Sequence, residues 1–407
     1  MVKSFSSGNP DLKSDFYIKY KPESSGGIKL NIDSKTLVLH KSKLENTILS
    51  TLSDLEIKHA TINLIDNGGQ YFVLQARLEA AIKNAHPTIF KESLPTLQEH
   101  TKYKTTRDRF RRTRLYLPGN QAKLMLNSGI HKPDGIILDL EDSVSPLEKD
   151  SARLIVRNAL RHINFYGSER MIRINQGEMG FKDLESIIPH NVHLVLVPKA
   201  ESAQQIQEVD KKIEDISKKH NISNKVYLMP IIESSLGIIN VHEIAKSSKN
   251  NVAIAIGLED YTADIGIERT NDGQESLFAR CQLINAARSA SIQAIDTVFS
   301  DVNDENALRN STKEAKQLGF DGKGCIHPRQ IKPIHEEFAP TNSEMQKAMD
   351  IVLAFDNAKQ KGLGVVSIGS KMIDPPVVKR AHKIIEMAIL SGLISKKWKN
   401  RLSEAKN

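Results

Sequence analysis

Apolar runs that alternate with amphipathic segments dominate the chain from Thr113 onward. Eight such runs occur, at 114–119, 135–142, 171–175, 194–199, 226–233, 252–257, 294–298 and 321–328. Continuous apolar strands are typical of a parallel sheet covered on both faces. Eight strand–helix units predict an α/β fold of the (β/α)8 TIM-barrel type, with its chemistry at the C-terminal ends of the strands. An open doubly wound sheet would need an early glycine-rich phosphate turn, and the sequence has none.

The first 88 residues show a different pattern, with short alternating strands and two helical stretches. The predicted strands are 16–20, 28–32 and 60–65, and the predicted helices are 41–55 and 76–84. Turn residues at 66–69 predict a hairpin that leads into a further strand at 71–74. These elements are sufficient for a small α+β domain.

The chain is therefore predicted to contain four parts. These are a small α+β domain at 1–88, a linker at 89–108, a barrel at 109–340 and a C-terminal helical segment at 341–407. The polar stretch around the linker, 88–111, is predicted to include a connecting helix. Within the last part, a glycine-rich break at 362–370 leads to Asp374 and two prolines. We interpret this stretch as a positioned loop or lid, with an ordinary helix connection as the alternative.

Composition sets mild limits on function. Apolar residues make up 39% of the 407 residues and charged residues 26%, as in ordinary soluble proteins. No run reaches membrane-spanning length, the N-terminus lacks the apolar core of a signal peptide, and two cysteines provide no disulfide framework. We therefore expect a cytoplasmic protein. Lys and Arg exceed Asp and Glu by 57 to 49, but without a long basic block we expect no nucleic-acid or membrane partner.

Two acids close neighbouring strands of the predicted barrel. Glu233 follows the run at 226–232, and Asp260 follows the run at 252–257. Two carboxylates at neighbouring strand ends can hold one hard cation such as Mg²⁺ and leave its other positions for water and an oxygen-rich substrate. The alternative is that these acids are helix caps or solvated loop residues.

Several ordered motifs across the barrel carry a family resemblance. Residues from about 109 to 390 resemble the citrate lyase β subunit and the malyl-CoA and citramalyl-CoA lyases, of the HpcH/HpaI aldolase type. The matching motifs are Arg-Leu-Tyr-Leu-Pro-Gly-Asn (114–120), Leu-Asp-Leu-Glu-Asp-Ser-Val (138–144), Arg-Ile-Asn (173–175), Val-Pro-Lys (197–199), Ile-Glu-Ser-Ser-Leu-Gly-Ile (232–238), Gly-Leu-Glu-Asp-Tyr-Thr-Ala-Asp (257–264), Ala-Ile-Asp-Thr-Val (294–298), Gly-Phe-Asp-Gly-Lys (319–323) and Lys-Met-Ile-Asp (371–374).

The N-terminal domain is similar to the acyl-carrier (γ) subunit of citrate lyase, through residues 14–15, 62–64 and 75–80. In that family a serine near the N-terminus carries a phosphoribosyl-dephospho-CoA arm. A gapless comparison places Lys13 at that position and Ser14 one residue later. Two alternatives remain: an arm attached at Ser14, or an unmodified carrier-like domain.

The resemblance implies a Mg²⁺-dependent retro-Claisen cleavage of a 3-hydroxyacyl thioester. The implied metal ligands are Glu233 and Asp260, with Glu141 and Asp142 in a second shell around a metal-bound water. Arg173 is expected to bind the substrate carboxylate with both prongs of its guanidinium. A barrel-mouth ion pair with a neighbouring acid is the alternative for this arginine.

The resemblance also implies an acid that protonates the enolate product and a site for the thioester. Asp374 from an adjacent subunit is the implied acid, which requires a homo-oligomer, either a trimer or a hexamer. The turn from Arg114 to Asn120, with Gly119, is expected to receive the pantetheine or nucleotide end of a CoA thioester.

Several functions remain open at this point. The carrier-like domain favours a citryl thioester and other citrate lyase subunits as partners, whereas the altered serine region favours free citramalyl-CoA or malyl-CoA. A thioesterase or Claisen condensing enzyme on the same site is a further alternative. The alternative from a different class is a non-catalytic carrier or scaffold subunit.

Overall fold

A small mixed sheet with two helices forms the N-terminal part of the computed structural model, which describes residues 3–34, 37–270, 272–360, 366–368 and 371–399. Its elements are β1 (Phe5–Ser7), β2 (Phe16–Pro22), β3 (Ile28–Ser34), α1 (Leu37–Asp54), β4 (Ala60–Asp66) and α2 (Tyr71–Ala85). The strand order is β1-β2-β4-β3, and only β3 and β4 are parallel. Alternate residues of β2 (Phe16, Ile18 and Tyr20) are buried in the domain core, as a period of two requires.

Eight parallel strands close into a barrel, which confirms the predicted fold class. They are β5 (Thr113–Pro118), β6 (Gly135–Asp139), β7 (Glu169–Arg173), β8 (Leu194–Val197), β9 (Tyr227–Ile232), β10 (Ala253–Ile256), β11 (Gln293–Asp296) and β12 (Gly322–Cys325). Strand β12 pairs with β5 and completes the ring. Large apolar side chains such as Ile137, Met171 and Met229 fill the barrel core.

Helices cover the outside of the barrel. They are α3 (Ala122–Met125), α4 (Lys149–His162), α5 (Gly177–Ile187), α6 (Ala203–Lys219), α7 (Ser235–Ile239), α8 (Val241–Lys246), α9 (Leu258–Asp264), α10 (Leu277–Ser289) and α11 (Glu305–Leu318). Helix α6 shows why they form: Ser202 caps its first turn, and Ile206, Val209 and Ile213 are buried along one face. The loops from strand ends to helices all lie at one rim.

Helix α2 replaces the strand predicted at 71–74, so that prediction is wrong. The preceding turn is present, because Asp66 Oδ1 accepts a hydrogen bond from Gly68 N at 2.8 Å. The chain then enters a helix in which Phe72, Val73 and Leu74 are all buried, since α2 packs against both its own sheet and α4. A short apolar run that is buried on all sides does not reveal its period.

The segment between the two domains is extended, apart from turns and one 3₁₀ turn at Glu99–Thr101, so the predicted connecting helix is absent from it. Arg161 of α4 fixes the segment at two points: its Nε donates to Pro95 O at 2.8 Å, and its carbonyl accepts from Gln98 N at 3.0 Å. Pro95 disfavours a helix in this segment, because proline has no backbone N–H to donate. The domain boundaries 1–88, 89–108, 109–340 and 341–407 stay predictions.

A second compact unit begins at Lys332. Its elements are α12 (Ile331–Phe338), α13 (Asn342–Gln360), β13 (Val366–Ile368), β14 (Lys371–Ile373) and α14 (Pro375–Leu390). The two long helices pack through Ala348, Val352, Ala381 and Ile385, which confirms the predicted helical segment. Strand β13, within the glycine-rich break, pairs antiparallel with β14, which directly follows the break. Residues 362–365 and 369–370 of the break lie outside the described residues. The lid role stays a prediction.

None of the helices in the described ranges combines the length and the apolarity that a membrane crossing needs.

Candidate active site

A cavity of about 480 Å³ opens at the C-terminal rim of the barrel. Five residues predicted from the sequence line it together with apolar side chains: Arg114, Asp142, Arg173, Glu233 and Asp260. Glu141 and Gly119 lie next to lining residues in the chain. Ser14 belongs to the N-terminal domain and Asp374 to the second unit. The closed barrel thus brings the predicted metal ligands and both predicted arginines to one place.

Glu233, directly after β9, is buried and lacks a cationic partner within ion-pair distance among the described residues. Its Oε2 accepts a hydrogen bond from Lys199 N at 2.9 Å. Burial raises the pKa of Glu233 to about 7, and the nearby charge of Glu141 adds to this. The carboxylate also lies against Gly257, where an added Cβ would come within 2.5 Å of Oε1. This position therefore needs a glycine.

Asp260 stands in the first turn of α9 and is exposed to the cavity. Lys199 Nζ lies 3.8 Å from its Oδ1, so Lys199 contacts both acids, one through its backbone and one through its ammonium. Lys199 has a positive φ of 46°, a strained conformation for a residue other than glycine. The sequence identified Lys199 only as a strand end. Its left-handed backbone gives no signal in a single sequence.

The carboxylates of Glu233 and Asp260 suit a hard cation. Both supply oxygen donors to the same cavity, as Mg²⁺ prefers. Among the described residues, no group of three or more His, Cys, Asp and Glu side chains is placed to hold a metal. A cation on these two ligands would therefore take its remaining oxygens from water or substrate. Because the Glu233 charge is buried and uncompensated, a bound cation would offset an existing electrostatic cost.

Arg173, at the end of β7, is held by acids on the neighbouring strand end. Its Nε and Nη2 donate to the two oxygens of Asp139, both at 2.7 Å. Its Nη1 lies 3.0 Å from Glu141 Oε2 and 3.3 Å from Asp142 Oδ2. Burial alone would lower the pKa of Arg173, but the hydrogen bonds and charge of Asp139 raise it. The arginine therefore remains charged and has a fixed plane.

Glu141 is the second acid at this rim with a strongly perturbed titration. Burial raises its pKa to about 7, although the charge of Arg173 opposes the shift. Gln176 Nε2 donates to Oε1 at 3.2 Å, whereas Oε2, close to Arg173, has no aligned hydrogen bond. Asp142 is half exposed. The expectation that Glu141 and Asp142 hold a metal-bound water stays a prediction.

Gly119 allows two strands to approach closely at the rim. Its N–H donates to Asp139 O at 2.7 Å, and a Cβ at this position would lie 2.6 Å from the same oxygen. The backbone of Asp139 thus fills the space that the missing side chain leaves. Binding of the thioester's pantetheine or nucleotide end at Gly119 stays a prediction.

The turn that carries Ser14 is anchored at the barrel rim. Ser14 has φ 63°, and the next residue, Asp15, is buried and accepts from Arg77 Nε at 3.2 Å and from Nη2 at 2.6 Å. The same guanidinium donates to Ser151 Oγ in α4 and to Asn120 O, just beyond β5. The predicted attachment residue therefore neighbours the first strand end of the barrel.

Asp374 is the N-cap of α14, where its Oδ1 accepts a hydrogen bond from Val377 N at 3.1 Å. This cap fixes the carboxyl group at the start of a helix whose first residues are prolines, as expected for N1. The predicted acid is thus well positioned within its own unit. Its catalytic role stays a prediction.

Two family models match the chain. Residues 112–328 match the family described as HpcH/HpaI aldolase/citrate lyase. Residues 12–85 match the ACP family, described as malonate decarboxylase delta subunit (MdcD). These matches confirm the resemblance of both parts of the chain.

Characterised relatives cover most of the barrel. The chain is 44% identical over 283 residues to citrate lyase subunit beta of Haemophilus influenzae. This alignment covers 69% of this chain and 97% of the relative. It is 32% identical over 290 residues to the mitochondrial citramalyl-CoA lyase of Mus musculus, over 68% of this chain and 86% of the relative.

Solved structures share the barrel. The protein CitE of Mycobacterium tuberculosis, in complex with magnesium, acetoacetate and coenzyme A, superposes with a TM-score of 0.56 at 26% identity. That match covers 70% of this chain and 99% of the other. The same protein with magnesium and pyruvate gives a TM-score of 0.52 at 25% identity, over 69% of this chain and 100% of the other.

Proposed function

The chain belongs to the HpcH/HpaI aldolase/citrate lyase family and is an enzyme of the carbon–carbon lyase class, and from this premise we propose its reaction. It cleaves a 3-hydroxyacyl thioester whose hydroxyl-bearing carbon also carries a carboxylate. The products are an α-keto acid and an acetyl-type thioester. The observation that carries the proposal is the convergence of Glu233, Asp260 and Arg173 on one cavity.

We assign the metal ligands to Glu233 and Asp260, which would hold Mg²⁺; when bound, it makes the substrate hydroxyl more acidic and polarises the adjacent carboxylate. Support comes from the oxygen-only donor set and from the magnesium in the CitE structure. Glu141 and Asp142 would order water beside these ligands. Lys199 fixes the Glu233 carboxylate through its backbone N–H and holds a positive charge beside Asp260.

Arg173 would bind the substrate carboxylate on the hydroxyl-bearing carbon. Asp139 occupies Nε and Nη2, so Nη1, which lies 3.0 Å from Glu141 Oε2 and 3.3 Å from the half-exposed Asp142, is the nitrogen that would reach the substrate. A substrate carboxylate would take the place of the Asp142 contact, since an exposed ion pair is worth little. The bidentate contact with Asp139 fixes the orientation of the arginine before the substrate arrives.

Asp374 would protonate the enolate carbon after cleavage. A carboxyl group brought from the second unit of an adjacent subunit would lose water when it enters the cavity, and desolvation raises its pKa towards a value useful for a general acid. This role requires a homo-oligomer, which we propose to be a trimer or hexamer.

The thioester is either a CoA derivative or an acyl group on a phosphoribosyl-dephospho-CoA arm at Ser14. The CitE structure with coenzyme A supports the first source. Arg77, which links Asp15 next to Ser14 with Asn120 O, supports the second, together with citrate lyase subunits as partners. A scaffold role without catalysis is not supported by the relatives, which are lyases.

Two inactive variants provide the test. Glu233→Ala removes a metal ligand and Asp374→Ala removes the acid, so we expect each to lose Mg²⁺-dependent release of α-keto acid from a 3-hydroxyacyl-CoA. Mixed subunits should regain activity at about one quarter of the sites, where an intact ligand meets an intact acid from the neighbouring chain.

The matched control is Glu243→Ala, an exposed glutamate on α8 outside the cavity, which should retain full activity. Near-normal turnover of Glu233→Ala at limiting Mg²⁺ would contradict the metal assignment. Proven subunit exchange without recovered activity would contradict the transfer of Asp374 across subunits.

A further inference from the structure

Arg114 is a fully buried cation at the cavity wall without a carboxylate partner. It lies on β5 and is 1% exposed. Its Nη1 contacts Met229 Sδ at 3.0 Å, its Nη2 reaches Asp296 O at 3.4 Å, and its buried Nε has no hydrogen-bond partner. No acid lies within ion-pair distance of it among the described residues. Burial lowers the pKa of Arg114, which expresses the cost of holding this charge away from water.

The other fully buried arginines are better satisfied. Arg77 and Arg157 each make two hydrogen bonds to one carboxylate, and so does Arg111 with Glu169. Arg170 has no acid, but it donates to the carbonyls of Asn191 and Tyr103 at 2.7 and 3.0 Å. A sulfur and one long carbonyl contact do not compensate Arg114 equally, so this charge is placed to receive an anion from the cavity.

The cavity connects Arg114 with the proposed reaction site. Tyr116 follows Arg114 on the same face of β5, about 7 Å along the strand. The Tyr116 ring lies 5.4 Å from the guanidinium carbon of Arg173, so a single side chain separates the two arginines. The wall around Tyr116 is largely apolar and includes Ile231, Ala255, Val298 and Ile326. A charged ligand group that reaches Arg114 past this wall therefore needs a short apolar group next to it.

Arg114 and Glu233 line the same cavity. Met229, which Arg114 contacts, precedes Ile231 and Glu233 on the inward face of β9. Gly324 of β12 pairs with Arg114, and a Cβ there would come within 2.7 Å of the Val298 side chain. The glycine at 324 thus lets the Val298 side chain pack closely beside Arg114 and Tyr116.

We infer that Arg114 determines specificity by binding a second substrate carboxylate, carried on a methylene group of the hydroxyl-bearing carbon. This inference rests on the proposed function. Arg173 takes the carboxylate attached directly to that carbon, the apolar wall accommodates the methylene group, and the second carboxylate neutralises Arg114. The site therefore prefers a keto-acid product with two carboxylates over one with a methyl group in place of the second.

Binding of two products to the full-length protein with Mg²⁺ provides the test. Oxaloacetate has the second carboxylate and pyruvate has a methyl group instead, so wild-type protein should bind oxaloacetate more tightly in calorimetry. Arg114→Met keeps an unbranched apolar side chain beside Met229 and removes the charge. The preference for oxaloacetate should then fall about ten- to a hundredfold, as for loss of a charge-assisted hydrogen bond.

The control is Arg173→Lys, which should weaken both ligands alike because both carry the first carboxylate. Equal weakening of both ligands by Arg114→Met, or a wild type without preference, would overturn the inference and leave the proposed function standing. If wild type binds neither ligand, the proposed function and this inference both fall. If Arg114→Met does not fold, Arg114→Lys, which loses the planar fork, must narrow the same preference for the inference to stand.

Discussion

Buried arginines serve two different purposes where the N-terminal domain meets the barrel and at the barrel mouth. At the domain contact, Arg157 of α4 donates to both oxygens of Glu79 in α2 at 3.0 and 2.7 Å, with both side chains fully buried. Arg77 grips Asp15 in the same bidentate way. Each charge is satisfied inside the chain. These pairs hold the carrier-like domain in place.

At the mouth, charges are present without equal compensation. Burial raises the pKa of Glu233, which has no cation within ion-pair distance among the described residues, and Arg114 has no acid within that distance. A protein gains stability by pairing buried charges or by omitting them, so uncompensated ones at a cavity indicate a ligand. The difference between the two regions separates the paired arginines of the domain contact from Arg114, whose charge has no carboxylate partner among the described residues.

The largest effect should follow from breaking a pair at the domain contact. Glu79→Gln keeps the shape of the side chain but removes the buried carboxylate that pairs with Arg157 through two hydrogen bonds, so that only the partly exposed Glu92, at 2.9 Å, remains as an opposite charge. We expect a loss of about 3–5 kcal/mol in the free energy of unfolding, measured by urea denaturation.

The double variant Glu79→Gln with Arg157→Met is the matched control, because it removes both charges and should recover much of the loss. The kcat/KM of folded Glu79→Gln with a CoA thioester should stay near that of the wild type. A loss below about 1 kcal/mol would show that the pair behaves like an exposed one and does not secure the domain.

The next effect concerns the paired arginine of the mouth. Arg173→Lys retains the charge but cannot donate to both Asp139 oxygens and to a substrate carboxylate in one plane. We expect kcat/KM to fall roughly ten- to a thousandfold. An unchanged value in steady-state kinetics would mean that another residue holds the substrate carboxylate.

Much of the fold followed from the sequence because its signals are local and repeated. Eight apolar runs each ended at a strand end of the barrel, and a carboxylate or arginine after such a run lies at the rim by topology alone. The prediction of a strand at 71–74 failed because α2 is buried against both its sheet and α4. This burial removes the polar face that would reveal a helix. Tertiary packing decided the element there.

The residues that form the site could be predicted from the sequence, but the contacts among them could not. Glu233, Asp260 and Arg173 line one cavity, as strand ends should. The left-handed backbone of Lys199 and the bidentate contact between Arg173 and Asp139 depend on how strands stagger, which a single sequence does not encode. The inward position of Arg114 could have been found, since it lies two residues before Tyr116 and therefore on the same face of β5.

The smallest effect tests whether the uncompensated acid awaits a cation. The pKa of Glu233 is raised to about 7 in the folded protein from an ordinary value near 4.5. Without metal, the folded state holds this proton more tightly than the unfolded state, so the stability contribution of Glu233 falls as pH rises from 4.5 to 7 and is constant above that.

Mg²⁺ requires the carboxylate form of Glu233, so below pH 7 it must displace a proton. The Kd for Mg²⁺ should weaken about tenfold for each pH unit below 7 and become level above it. Calorimetric titration with Mg²⁺ between pH 5.5 and 8 measures this slope, and Glu233→Gln, which has no proton to release at this position, should lose most of it. If the wild-type affinity for Mg²⁺ is the same at all these pH values, Glu233 does not bind the metal through a titrating carboxylate. The barrel mouth would then resemble the domain contact, because its buried charges would be compensated within the protein.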